Sequence, residues 1–118
     1  MAELRIDGTD LVLHMSRVEK VEGMRGDVRV PLAAFTTARA VPDVWDELRG
    51  IRAPGTGVPG MIAVGTRRGS FGKDFAVVHG HGPGVVVELS GGEYSRLVAS
   101  TTDAEPMATR IDAVAGAA

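Results

Sequence analysis

With 118 residues, no cysteine and a formal charge of −2, the chain has the length of one domain, 1–118, with an ordered core expected over about 3–114. The missing thiols exclude a disulfide framework, a thiolate zinc site and a cysteine nucleophile, and the slight acidity argues against nucleic-acid binding. The polar, acidic start Met1-Ala2-Glu3-Leu4-Arg5-Ile6-Asp7 is unlike a signal peptide, and no apolar run approaches the ~18–20 residues of a membrane helix, so a cytoplasmic protein without membrane insertion is expected. Hydrophobic residues make up 44% of the chain, too many for a disordered segment. Eleven arginines against two lysines, with abundant Ala, Gly and Val, carry the imprint of a GC-rich bacterial genome.

Glycines and prolines stand mainly between short apolar segments, the punctuation of a β-rich fold. Asp7-Gly8 separates Leu4-Arg5-Ile6 from Leu11-Val12-Leu13-His14-Met15 and predicts a hairpin. Ser16 and Glu19 make a capping box ahead of a short helix over 17–22, which carries Val18 and Val21 and is closed by Gly23. Strands are predicted over 28–30, ended by Pro31, and over 35–41, ended by Pro42. Asp43 caps a helical stretch with Val44, Trp45 and Leu48 that Gly50 stops. The Pro/Gly-rich segment 53–60 reads as a loop. Strands then follow over 61–66, 74–79, 84–89 and 96–101, joined by turns at 67–72 and 80–83. Thr102 and Glu105 form a second capping box, and Met107, Ile111 and Val114 make the apolar stripe of a terminal helix. The expected fold is mainly β, a barrel or half-barrel with one or two short helices, closed at one end by the 103–114 helix.

This order of elements resembles the bacterial pleckstrin-homology-like domains, in particular small stand-alone proteins of unknown function. The similarity rests on Gly26-Asp27-Val28-Arg29-Val30-Pro31-Leu32, Trp45 ahead of Leu48-Arg49-Gly50, Arg52-Ala53-Pro54-Gly55-Thr56-Gly57, Lys73-Asp74-Phe75 and Val85-Val86-Val87-Glu88-Leu89. It implies a scaffold for lipid, peptide or protein ligands without fixing which. Lipid-binding members carry basic residues in the first strand-to-strand loop. Here that loop is Asp7-Gly8-Thr9-Asp10, so phosphoinositide binding is not expected.

Motifs for chemistry are sparse. His79-Gly80-His81 with Glu88 is similar to a cupin metal pattern, but the glutamate spacing is wrong, no histidine follows His81, and the surrounding glycines predict exposed turn histidines. Gly72-Lys73 lacks the glycine at 67 and the hydroxyl at 74 of a phosphate-binding loop. Arg25-Gly26-Asp27 is a tripeptide that recurs by chance. His14 alternates with Leu13 and Met15 and so points away from the core, no nucleophile elbow appears, and Asp46-Glu47 diverge on a helix and solvate its face. No catalytic residue, metal ligand or cofactor is therefore expected. Of the two amphipathic aromatics, Trp45 and Tyr94, the first is expected to pack its short helix onto the barrel.

The uneven feature is charge. Between Leu48 and Lys73 there are five basic residues, Arg49, Arg52, Arg67, Arg68 and Lys73, seven glycines and no acid, a combination suited to an anionic partner. With strand 61–66 running between them, Arg49/Arg52 and Arg67/Arg68/Lys73 should form two patches about 20 Å apart. The bland alternative is a solvated loop set paired with acids by folding. A non-catalytic binding or scaffolding domain for a protein or peptide is the expected function. A small metal-dependent enzyme using His79 and His81, and a homo-oligomeric module pairing exposed sheet edges, remain the alternatives.

Overall fold

The protein is described here by a computed structural model covering residues 3–22, 26–58 and 60–115, without the side chains of Val21 and residues 52–54. Strands β1 (Glu3–Asp7), β2 (Asp10–His14) and β3 (Val28–Pro31) form a three-stranded antiparallel meander. The predicted helix α1 (Arg17–Glu22) interrupts it after β2. The Ser16/Glu19 capping box forms as predicted: the Ser16 N–H donates to Glu19 Oε1 (2.9 Å) and the Glu19 N–H to Ser16 Oγ (3.2 Å). Six further strands, β4 (Phe35–Val41), β5 (Ile51–Val58), β6 (Ile62–Gly69), β7 (Gly72–Val78), β8 (Gly84–Leu89) and β9 (Arg96–Ser100), build a second sheet. Its order is β4-β8-β9-β7-β6-β5, antiparallel except for the β7–β9 pair. Helix α2 (Ala104–Ala115) ends the described chain.

The β-rich class with a C-terminal helix is as expected, but the sheets do not close into a barrel. Strand β9 inserts between β7 and β8, which leaves β4 and β5 as the two edges of the large sheet. Helix α2 lies along the β4 edge, where the Ala38 N–H donates to Asp112 Oδ1 (3.3 Å). Covering an edge in this way answers the same need that closure would.

Both faces of the large sheet are buried, which is why Val85-Val86-Val87 is continuously apolar instead of alternating. One face, with Val64, Phe75, Val77, Val85, Val87 and Leu97, packs on Leu4, Leu11, Leu13 and Val28 of the small sheet and on Met107 and Ile111 of α2. The other face, with Ala63, Ala76, Val78, Val86 and Val98, is covered by Val41 and Val44, with Trp45 and Leu48 packed alongside. Gly84 makes this cover possible: a Cβ there would collide with Val44 Cγ1 and the Ala99 carbonyl oxygen.

Four local expectations are corrected. Segment 53–60 is not a loop through most of its length but belongs to β5. As an edge strand it tolerates Pro54, and a register shift between Arg52 and Gly55 absorbs the irregularity. The helical stretch after Asp43 is a 3-10 turn, Val44–Glu47, capped by Asp43 Oδ1 accepting the Trp45 N–H (3.0 Å). Helix α2 starts one residue later than Thr102 predicts, with the Asp103 carbonyl accepting the Met107 N–H (2.9 Å). Its buried stripe is Ala104, Met107, Ala108, Ile111 and Ala115, whereas Val114 is 48% exposed. A helix on a sheet needs a stripe wider than three positions, and small alanines let α2 lie close to β4.

Candidate functional site

The basic residues come together at one end of the large sheet. Because β5 is a strand that returns antiparallel to β6, Arg52 stands opposite Arg67 and Ile51 opposite Arg68. Strand β7 then places Asp74 opposite Arg67 and Lys73 opposite Arg68. The two patches expected at opposite ends are therefore one. Gly50, at φ +79, permits the convergence, since a Cβ there would strike the Arg68 carbonyl and the Phe71 ring.

Cross-strand partners share a face, so this cluster divides into two rows. On the face covered by Trp45 and Leu48, Arg49 Nε and Nη2 donate to Asp74 Oδ2 (2.6 Å) and Oδ1 (3.0 Å), and the guanidinium lies 3.9 Å over the Phe71 ring. Arg67 Nε and Nη2 donate to the carbonyls of Arg49 (3.0 Å) and Gly50 (3.2 Å). These two arginines tie β5, β6 and β7 together. The Arg52 side chain lies outside the described residues. The opposite row is Ile51, 76% accessible, then the exposed Arg68, then the half-buried Lys73. Lys73 Nζ sits 3.1 Å from Glu93 Oε2 and 5.3 Å from the Tyr94 ring centroid. Asp74, Glu93 and Ile51 were invisible in the sequence reading of this site. The alternation Arg67-Arg68 with Lys73-Asp74 was the one available signal that the charges split between faces.

Two of the three histidines, His79 and His81, follow the other end of β7. His79 Nε2 lies 2.7 Å from Oε2 of Glu19, a carboxylate only 3% exposed on α1. Burial pushes the Glu19 pKa up, but the Ser16 N–H and His79 hydrogen bonds outweigh it and hold the carboxyl below its ordinary range. A concavity of about 300 Å³, lined by Ser16, Val18, Glu19, Glu22, Ile62 and His79, opens beside this pair, and Glu22 Oε1 is buried there without a hydrogen-bond partner. His81 is exposed, as expected, with Nδ1 2.7 Å from Asp43 Oδ2. The hydrogen bond from His81 lowers the Asp43 pKa most, with burial opposing and the Trp45 and Gly82 amides helping. His79 and His81 thus engage different carboxylates, and neither is a bare turn residue. Glu88, the third residue of the cupin-like pattern, instead accepts from Arg39 and Arg96.

Other singled-out residues have structural partners. His14 Nδ1 lies 2.8 Å from Asp27 Oδ2, whose other oxygen accepts the Met15 N–H. That engages the end of the Arg25-Gly26-Asp27 tripeptide, while Arg25 lies outside the described residues. Asp7 and Asp10 of the first loop both accept from Arg29, at 2.6 and 3.1 Å. Glu47, expected to be merely solvated, accepts from Arg39 Nη1 and Nη2 (3.2 and 3.1 Å). No described helix is long and apolar enough to cross a membrane. Compared with models of known protein families, with curated proteins and with solved structures, the chain has no significant match.

Proposed function

We propose that the chain is a non-catalytic binding module of the pleckstrin-homology-like kind, cytoplasmic, that engages an acidic protein or peptide segment bearing apolar side chains. The observation that carries this reading is the row Ile51, Arg68, Lys73 across three adjacent strands, exposed at Ile51 and Arg68 and half-buried at Lys73. Such a row offers one apolar anchor and two cations at strand spacing, about 5 Å apart. An extended ligand with a carboxylate beside an aliphatic residue matches it. Glu93 occupies Lys73 in the way a ligand carboxylate would, and at 55% side-chain exposure it can move aside. Arg49 and Arg67 support the row from the other face and are not themselves contacts.

The test is an NMR titration with a decapeptide of alternating Glu and Leu, against one of alternating Lys and Leu. Amide shifts confined to residues 50–52, 67–69 and 72–74, produced by the acidic peptide alone and weakened between 50 and 300 mM salt, are expected from surface charge pairing, where the Debye length falls below about 10 Å. Arg68→Glu should abolish them while moving the melting temperature by no more than about 2 °C, as befits an exposed position. Equal shifts from both peptides, or an unchanged response in the variant, would refute the reading. Light scattering of the free chain separates it from a self-pairing module.

A further inference from the structure

At the end of the large sheet opposite the basic row, Asp43, Asp46 and His81 meet. One carboxylate oxygen from each aspartate and one ring nitrogen of His81 all lie within 4.8 Å of one another. Two separate segments supply them: the start of the 3-10 turn and the turn between β7 and β8. The backbone holds these segments together, with the Val44 N–H donating to the Gly82 carbonyl (2.9 Å). Asp43 is oriented for ligation. Its Oδ1 accepts the Trp45 N–H (3.0 Å) and the Gly82 N–H (3.3 Å), and this leaves Oδ2 turned to His81. Asp46 and His81 are exposed and can adjust. The Trp45 ring lies 5.7 Å from the His81 ring, centroid to centroid, and forms one wall.

We propose that Asp43, Asp46 and His81 bind one borderline divalent transition-metal ion, zinc being the best fit, with water completing its shell. Two carboxylates neutralise a dication, and the imidazole donor selects zinc-like ions over magnesium and calcium, which prefer all-oxygen shells. At metal–ligand distances near 2.1 Å, tetrahedral ligands stand about 3.4 Å apart, so the cluster must contract by roughly 1.4 Å at its widest separation. Rotation of the exposed Asp46 and His81 side chains covers that change without moving the anchored Asp43. The site is independent of the peptide-binding row, from which His79 at the near end of β7 is already about 20 Å away along the strand from Lys73. It also differs from the cupin-like pattern, because His79 is taken by Glu19 and Glu88 by two arginines.

The test uses tag-free full-length protein stripped with chelator. Calorimetric titration with zinc chloride should show one equivalent bound with a low-micromolar Kd, and calcium or magnesium should give no heat. Copper(II), a paramagnetic probe for the same site, should quench the fluorescence of Trp45, the chain's one tryptophan. Asp46→Asn and His81→Gln should each weaken zinc binding at least tenfold, while His79→Gln binds as the parent does. Asp46→Asn should keep the parent's melting temperature, so that loss of binding is not loss of fold. The proposal fails if about 1 mM zinc gives no binding, a concentration roughly a hundredfold or more above the expected Kd. It also fails if calcium binds as tightly as zinc, if both ligand variants bind like the parent, or if His79→Gln is the variant that abolishes binding.

Discussion

Arg49 decides whether the basic cluster is a ligand surface or a structural joint, and removing it gives a measurable answer. Its guanidinium donates twice to Asp74, whose side chain is 2% exposed, and stacks on Phe71. Arg49→Ala therefore leaves a carboxylate buried without its partner, a change that costs about 3–5 kcal/mol in buried pairs. Two features of the structure set the cost near the lower end. Arg49 is itself one-third exposed, and Arg67, opposite Asp74, is near enough to swing toward the abandoned carboxylate. Loss of the guanidinium–Phe71 contact adds about 0.5–1 kcal/mol. A destabilisation of about 3.5–4 kcal/mol in a domain of this size lowers the melting temperature by roughly 15 °C. Urea unfolding followed by Trp45 fluorescence measures it directly. The paired replacement Arg49→Met with Asp74→Leu should recover most of the loss, because it removes both charges at once. A single mutant within about 2 °C of the parent, or a double mutant as unstable as the sum of the singles, would refute the reasoning and return Arg49 to the candidate ligand contacts.

Glu19 gives a pH dependence with a defined sign. Its folded-state pKa lies below the ordinary 4.5, so its stabilising contribution is complete above that value and is lost as pH falls through the lowered one. The parent's acid-unfolding limb should therefore steepen below pH 4.5, and Glu19→Gln should flatten it, as followed by circular dichroism. Gly84→Ala should destabilise by about 2–3 kcal/mol in urea, since the colliding Ala99 oxygen is backbone and cannot step aside. Ile111→Ala should cost about 3 kcal/mol and Val114→Ala less than about 0.5, from 1% against 48% exposure. Equal losses in the two helix variants would mean that α2 is rotated relative to the stripe described.

What the sequence made legible was local. The Ser16/Glu19 box, the Asp43 cap, the Pro42 strand end and the alternation in 28–30 each depend on residues within four positions of one another, and each appears in the structure. The failures share a physical cause. Segment 53–60 has the composition of a loop, and only its place at the edge of a sheet lets Pro54 and Gly55 extend. That place depends on β6, whose pairing no local pattern announces. Val114 fits the helical period as well as Met107 does, and the choice between stripes was made by β4 and β8. His79 carries no mark in the sequence of its pairing with a glutamate 60 residues away.

The β5 correction has the larger consequence for function. As a loop, 53–60 could have spread Arg49 and Arg52 away from Arg67, leaving five cations as scattered surface charges worth little each. As a strand, it returns them to one place, and the pleat then sorts them. Residues facing Trp45 and Leu48 are drawn into bonds with Asp74 and backbone carbonyls, because a cation there has no other means of replacing its hydration. On the opposite face Arg68 stands exposed beside Ile51, and Lys73 pairs with Glu93. The same strand pairing thus makes Arg49 and Arg67 structural and sets Arg68 on the exposed face. This is why the charge window alone could not say which residues to mutate, and why Arg68, and not Arg49 or Arg67, is the position at which to test the proposed binding.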